Sequence, residues 1–210
     1  PMKFQVSKEN YRVGNRIRVY ILEYREDRRV PMIIGSHTHE DLVRELFELE
    51  VPEIEDGTVE IRSIAREAGQ RTKIAVSSSS DDIDPVGACI GARGSRIQNV
   101  LSELRNEKID IVRYSDDPVD FISNSLSPAE ILTVALFDDD HGRRAEVTVA
   151  PDQLSLAIGR GGQNVRLAAK LTGWKIDIKE ASEASSKKSA SSFDENEEDL
   201  EEASGKEAQV

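Results

Sequence analysis

The sequence predicts an α+β fold in which two copies of one α-β-β-α-α-β unit stand between a short β-hairpin and an acidic tail. Three observations carry that reading. Cys89 to Ile97 matches Ala157 to Val165 at an offset of 68, and Lys108-Ile109-Asp110-Ile111 matches Lys175-Ile176-Asp177-Ile178 at 67, so one unit occurs twice. Apolar residues recur at helical spacing after each glycine-rich stretch and alternate at strand spacing before it. The two ends differ from the middle: residues 1–35 hold eight bases and four acids, and residues 180–210 hold three bases and ten acids.

Taken in order, Ile17, Val19 and Ile21 alternate with Arg18, Tyr20 and Leu22, and Val30 to Ile34 follows the charged turn Glu26-Asp27-Arg28-Arg29. This reads as a β-hairpin, too small to be a stable sheet alone. In the first unit, Thr38 with Asp41 resembles a capping box, and Leu42, Val43, Leu46, Phe47 and Leu49 form one helix face to about Glu50. Val59 to Ala65 and Thr72 to Ser77 read as strands joined around Gly69. Asp84-Pro85 supplies an N-cap and a first-turn proline for a short helix that stops at Gly91. Ile97, Val100, Leu101 and Leu104 stripe the next helix, and Lys108 to Arg113 closes the unit as a strand. The second unit is expected to use Ser127-Pro128-Ala129-Glu130 as its first cap, then strands 131–138 and 144–150 and a short helix capped by Asp152. A helix carrying Val165, Ala168 and Ala169 follows, ended by Gly173, and then the strand Lys175 to Lys179. Residues 181–210, rich in serine and acids with Phe193, Leu200 and Val210 as the only large apolar residues, read as disordered.

Composition narrows the class. The chain has 28 Lys+Arg against 40 Asp+Glu, a net charge of -12, which argues against nonspecific, charge-driven wrapping of nucleic acid but leaves room for a local basic groove. No apolar stretch is long enough to span a bilayer. The start, Pro1-Met2-Lys3-Phe4, lacks the apolar segment of a secretory leader. A single cysteine, Cys89, makes no internal disulfide. The expectation is a cytoplasmic protein, monomeric by default and without membrane contact.

In both units Ile-Gly-X-X-Gly sits between two helices. A dinucleotide fingerprint needs a strand before its glycines, and a P-loop continues as Gly-Lys-Ser/Thr; neither applies. A helix-Gly-X-X-Gly-helix turn lets a nucleic-acid backbone approach closely, beside the free N–H groups and positive dipole end of the following helix. Arg93 and Arg160, at variable positions of the turns, suit charge-assisted contacts to phosphate. KH modules clamp about four nucleotides with such a turn. Ile90, Ile97 and Ile109, and in the second copy Ile158, Val165 and Ile176, are expected to floor the adjoining grooves. Aspartate at Gly91 and Gly159 is expected to abolish RNA binding and leave the fold intact.

Longer segments strengthen the reading. Leu46 to Ile54, Arg71 to Val76, Asp84 to Gly91 and above all Gln153 to Trp174, reading QLSLAIGRGGQNVRLAAKLTGW, resemble the NusA family of bacterial transcription factors over about residues 11–180. The resemblance implies two tandem type II KH domains, residues 36–116 and 117–180, forming one RNA-binding surface. They would follow the C-terminal part of an OB-fold barrel at residues 1–35 and precede the acidic tail at 181–210. It further implies binding of nascent single-stranded RNA and RNA polymerase, to modulate pausing, termination and antitermination, without enzymatic activity, cofactor or metal. Carried over, Ile90, Gly91, Ala92, Arg93 and Gly94, and Ile158, Gly159, Arg160, Gly161 and Gly162, contact RNA, with Arg96, Arg166 and Lys170 on the adjoining helices. Where the family usually reads Ser-Arg-Thr-His-Pro after the barrel, this chain has Ser36-His37-Thr38-His39-Glu40.

Other readings compete. A KH protein of ribosome or RNA metabolism would share every feature except polymerase contact. Asp138-Asp139-Asp140-His141 would hold a divalent cation in a metal-dependent ribonuclease, although its place between two strands, ending in Gly142, reads as a solvated turn. An adaptor would act through the acidic tail. His37 and His39 read as polar residues of a helix start, Cys89 as a small buried apolar residue, and Trp174 as core or junction packing.

Overall fold

A computed structural model describes residues 1–7, 9–26, 30–105, 107–139 and 142–181. The disorder expected of the tail therefore lies, apart from Ala181, outside the described residues.

The hairpin forms from β1 (Tyr20–Arg25) and β2 (Met32–Ser36), antiparallel with a bulge between Ile21 and Glu23. Both strands start later than the alternation predicts, and Ile17 and Val19 precede the first paired residue, Tyr20. Ile21, Tyr24, Met32 and Ile33 stay exposed.

The first unit runs α1 (Asp41–Glu50), α2 (Pro52–Glu55), β3 (Val59–Glu67), β4 (Arg71–Ser78), α3 (Pro85–Ile90), α4 (Ser95–Leu104) and β5 (Lys108–Arg113). β3 and β4 are antiparallel, and β5 joins parallel to β4 after the two-helix crossover. The expected Thr38/Asp41 capping box is not made. Ser36 Oγ instead accepts from the amides of Thr38 and His39, and His39 Nδ1 accepts from the Asp41 amide at 3.2 Å. His39, stacked on Tyr20, does sit at the helix start as expected. His37 does not: it is buried, with Nδ1 2.9 Å from Glu9 Oε2 and 3.2 Å from the Tyr11 hydroxyl. Leu42, Val43, Leu46 and Phe47 of α1 enter the core, while Leu49 is 65% exposed, because it falls on the flank of the helix that faces the hairpin cleft. The core gathers these with Val59 and Ile61 of β3, Ile74 and Val76 of β4, Cys89, Val100 and Leu104.

The second unit runs α5 (Pro118–Ser125), β6 (Thr133–Asp139), β7 (Gly142–Val149), α6 (Leu154–Ile158), α7 (Gln163–Thr172) and β8 (Lys175–Glu180), with the same strand order and directions. Two expected caps are corrected. The opening helix ends before Ser127; it is capped by Asp117, whose carboxylate accepts from the Val119 amide at 2.9 Å ahead of Pro118. This is the same Asp-Pro device as Asp84-Pro85, where Asp84 accepts from the Gly87 amide. Asp152 caps nothing: residues 151–153 make a turn closed by the Gln153 amide on Ala150 O, and α6 starts one residue later.

The units share a third core. α7 lies across β3 and β4, so Leu167 and Leu171 meet Ala65, Ala75, Val112 and Phe121. β4 is thereby buried on both faces over Thr72 to Val76. Lys73, with no exposed surface, donates to Ser127 O at 2.9 Å and pairs with Asp110 at 3.1 Å. Burial lowers its pKa, and Asp110 opposes that fall.

Candidate nucleic-acid interface

Each glycine-rich turn joins two helices of its own unit and has nearly the same backbone. Gly91 and Gly159 adopt φ/ψ of 74/172° and 73/171°, Arg93 and Gly161 53/28° and 60/28°, and Gly94 and Gly162 78/14° and 72/16°. Gly94 N–H donates back to Gly91 O at 3.0 Å, and Gly162 N–H to Gly159 O at 3.1 Å. Each turn stands at the start of α4 or α7, where the first amides of a helix lack an intrahelical acceptor, the arrangement that receives an anion.

The glycines are not equivalent. At Gly91 and Gly159 the conformation is one only glycine adopts readily. A Cβ at Gly159 would stand 2.7 Å from Asn164 Cβ and 2.8 Å from its amide nitrogen, and one at Gly91 would stand 2.6 Å from Arg96 Cγ. A Cβ at Gly161 or Gly162 meets nothing within 4 Å. The expectation that aspartate at Gly91 and Gly159 spares the fold is therefore corrected. Gly159→Ala, which adds a clash to the strain, is expected to cost about 3 kcal/mol or more of unfolding free energy and Gly161→Ala, strain alone, about 1–2 kcal/mol; equal losses in parallel urea titrations would refute the distinction.

Ala92, Arg93, Arg160, Arg166 and Lys170 are exposed, as side chains that meet a polyanion must be. Arg96 is engaged within its unit, donating to Glu53 Oε2 at 2.9 Å and Ala88 O at 2.7 Å. Arg166 donates to Glu67 Oε1 at 2.6 Å and to Gly161 O at 3.2 Å, and Gln163 donates to Glu67 Oε2 at 2.8 Å. Arg166 holds the Glu67 carboxyl below its ordinary pKa; partial burial opposes this, and Gln163 and Lys170 assist. Glu67 and Gln163 were not anticipated, since their contact joins residues 96 apart with no local pattern.

Ile90 and Ile158 are each 38% exposed beside their turns, and Ile97, Ile109 and Val165 are half-buried, as a groove floor requires. Ile176 is buried in the second core instead, facing the sheet interior. Along α4 and β5 runs an open depression of about 610 Å³, lined by Leu101, Arg105, Lys108 and Ile109 among others. Its acids are engaged elsewhere: Glu107 takes both a bidentate Arg66 and the Gly69 amide, and Asp110 takes Arg71 and Lys73.

The remaining candidates resolve simply. Cys89 is buried and its thiol is pushed up to about 12, chiefly by burial, so it stays un-ionised at neutral pH. Trp174 is half-buried against the second core and lines the junction cleft with Phe121 and Leu171. Asp138 lies 3.9 Å from Arg143 on an exposed hairpin end; Asp140 and His141 are outside the described residues. No described helix is long and apolar enough to cross a membrane.

Comparison with known proteins follows the same division. A profile described as NusA-like first KH domain matches residues 37–114, and one described as NusA-like second KH domain matches residues 118–186. The transcription termination/antitermination protein NusA of Halalkalibacterium halodurans is 53% identical over 184 residues, covering 88% of this chain and 48% of that protein. That of Mycobacterium tuberculosis is 54% identical over 179 residues, 85% and 51% respectively. That of Thermus thermophilus is 49% identical over 181 residues, 86% and 46%. The chain spans about half the length of these curated relatives. Among solved structures, the crystal structure of APE1850 aligns with a TM-score of 0.51 at 25% identity, covering 67% of this chain and 97% of that one.

Proposed function

The chain belongs to the NusA family, and from that premise we propose that it binds nascent single-stranded RNA on its two Gly-X-X-Gly turns and so modulates pausing, termination and antitermination. The observation that carries this is the duplicated turn: two sequences that differ at the variable positions adopt one backbone, each at a helix start. Turn donors and Arg93 or Arg160 would take phosphates, and the half-buried isoleucines would take base faces.

In this reading residues 36–116 and 117–180 are the two KH domains, and the hairpin in residues 1–35 is the C-terminal part of an OB-fold barrel. RNA is bound without chemical change, in the cytoplasm, by a monomer, and RNA polymerase is the protein partner. The contact residues are Ile90 to Gly94, Arg96, Ile158 to Gly162, Arg166 and Lys170.

Fluorescence anisotropy with a labelled single-stranded RNA, its duplex as control and two salt concentrations tests the reading. Saturable, salt-weakened binding that favours the single strand is expected, with the RNA intact on a gel afterwards. Equal affinity for the duplex would refute it, and cleavage with magnesium or manganese would favour the ribonuclease reading.

A further inference from the structure

The two turns are built alike but anchored differently. In the first unit Arg96 ties the turn to Glu53 and Ala88 of the same unit. The residue at that place in the second is Asn164, fully buried, whose amide donates to Leu126, Ala157 and Leu156 carbonyls at 2.9, 3.1 and 3.2 Å. The second turn then gains a tie that the first lacks. Gln163 and Arg166, from the first turn of α7, both donate to Glu67, the last residue of β3 in the other unit. Their counterparts on α4, at an offset of 68, are Ser95 and Gln98, and that of Lys170 is Ser102, so no cation stands there to be held.

The geometry at Arg166 is specific. Its Nε is committed to Glu67 and one Nη1 hydrogen to Gly161 O, inside the turn. Two hydrogen bonds in different directions fix a planar guanidinium, and the Nη2 amine and the second Nη1 hydrogen remain. The Glu67 side chain is 14% exposed and that of Arg166 49%, so the carboxylate forms the buried end of the pair and the guanidinium its open end.

We propose that Glu67 of the first unit is the positioning residue of the second turn, holding Arg166 against Gly161 so that its remaining N–H groups meet a phosphate seated there. The proposal rests on the RNA-binding reading above and deepens it: one unit would pre-organise the RNA contact of the other. A fixed donor loses less conformational entropy on binding than a mobile one. A plain counter-charge has the opposite consequence, since a carboxylate that only neutralises Arg166 would weaken RNA binding, and its removal would strengthen it.

The test is anisotropy titration of the full chain with a fluorescein-labelled single-stranded RNA of mixed sequence, over a salt series. Glu67→Ala is expected to weaken binding roughly 5- to 20-fold and to make the slope of log K against log salt shallower by about 0.7, the loss of one phosphate contact. Glu67→Gln, which keeps an acceptor for Arg166, is expected to recover part of that affinity. A loss of stability alone would leave the salt slope unchanged. Unchanged or tighter binding by Glu67→Ala overturns the proposal. The Arg160→Asp/Gly161→Asp variant separates the two levels: if it binds as the parent does, the second turn is not an RNA site. If it loses affinity while Glu67→Ala does not, only the positioning role fails. Should Glu67→Ala melt too low to titrate, Glu67→Gln is read alone, with an intermediate loss expected and parental affinity overturning the proposal.

Discussion

Aspartate at the four variable turn positions, Ala92→Asp and Arg93→Asp in one turn with Arg160→Asp and Gly161→Asp in the other, is expected to abolish RNA binding while the fold survives. Ala92, Arg93 and Arg160 are exposed and already carry side chains, and Gly161 has open space where a Cβ would go. Arg93 and Gly161 have φ of 53° and 60°, in the left-handed region that aspartate tolerates better than most residues. No Cβ clash forces the backbone to move, and unfolding free energy should fall by about 1–2 kcal/mol, chiefly from left-handed strain at Gly161. The electrostatic change is large: two positive charges become negative and two more negative charges appear where phosphates would sit. Charge-assisted hydrogen bonds contribute about 1.5–3 kcal/mol each, so each altered turn should lose roughly 10- to 100-fold in affinity and the two together about a thousandfold. Anisotropy titrations beside urea unfolding curves measure both quantities. Affinity within threefold of the parent, with the fold intact, would remove the turns from the mechanism.

Leu167→Asp is expected to be the most destabilising single change in the described fold, costing about 4 kcal/mol or more in denaturant unfolding. Leu167 is fully buried where α7 crosses the first sheet, among Ala65, Ala75, Val112, Phe121 and Leu171. A carboxylate there has no cationic partner among these residues. The change also separates two outcomes, because the core of each unit draws on other residues. The expected result is two unfolding steps in place of one, with faster amide hydrogen exchange in β3 and β4. Leu156→Asp, at a position 47% exposed on the neighbouring helix α6, is the control and should stay within about 0.5 kcal/mol of the parent. A single transition of undiminished midpoint for Leu167→Asp would show that the shared core contributes little.

The contrast between these leucines marks where sequence reading reached its limit. Periodicity and the internal match located the strands and helices of both units, since those signals are local. The match is right for one face of α7, which packs on the second core, and silent on the other. Aligning the copies assigned α7 the apolar face of α4, with Val165, Ala168 and Ala169, and passed over Leu167 and Leu171, which face the other unit. A contact between unlike surfaces breaks the symmetry of the repeat, so comparing the copies hides it. Asp117-Pro118 was legible, being the same dipeptide as Asp84-Pro85, but Ser127-Pro128 nearby carried a competing helix-start pattern. Before α1 the turn is closed by Ser36 instead of Thr38, because β2 ends at Ser36 and delivers its hydroxyl to the amides of Thr38 and His39, and the first helical amide goes to His39. At the candidate site, the turns and their arginines were visible from spacing. What holds Arg96 and Arg166 in place was not, because Glu53 and Glu67 come from distant segments.

One helix, α7, begins at the second turn and packs along its length on the sheet of the first unit. The two turns are consequently joined by a packed core as well as by the covalent chain. For an RNA strand that reaches both, the second engagement follows the first as an intramolecular event, at an effective concentration set by the fold and not by a slack linker. On the proposed reading the same geometry would make avidity conditional: strands whose spacing between contacted nucleotides matches the turns would gain it, and shorter or mismatched strands would bind one turn at a time.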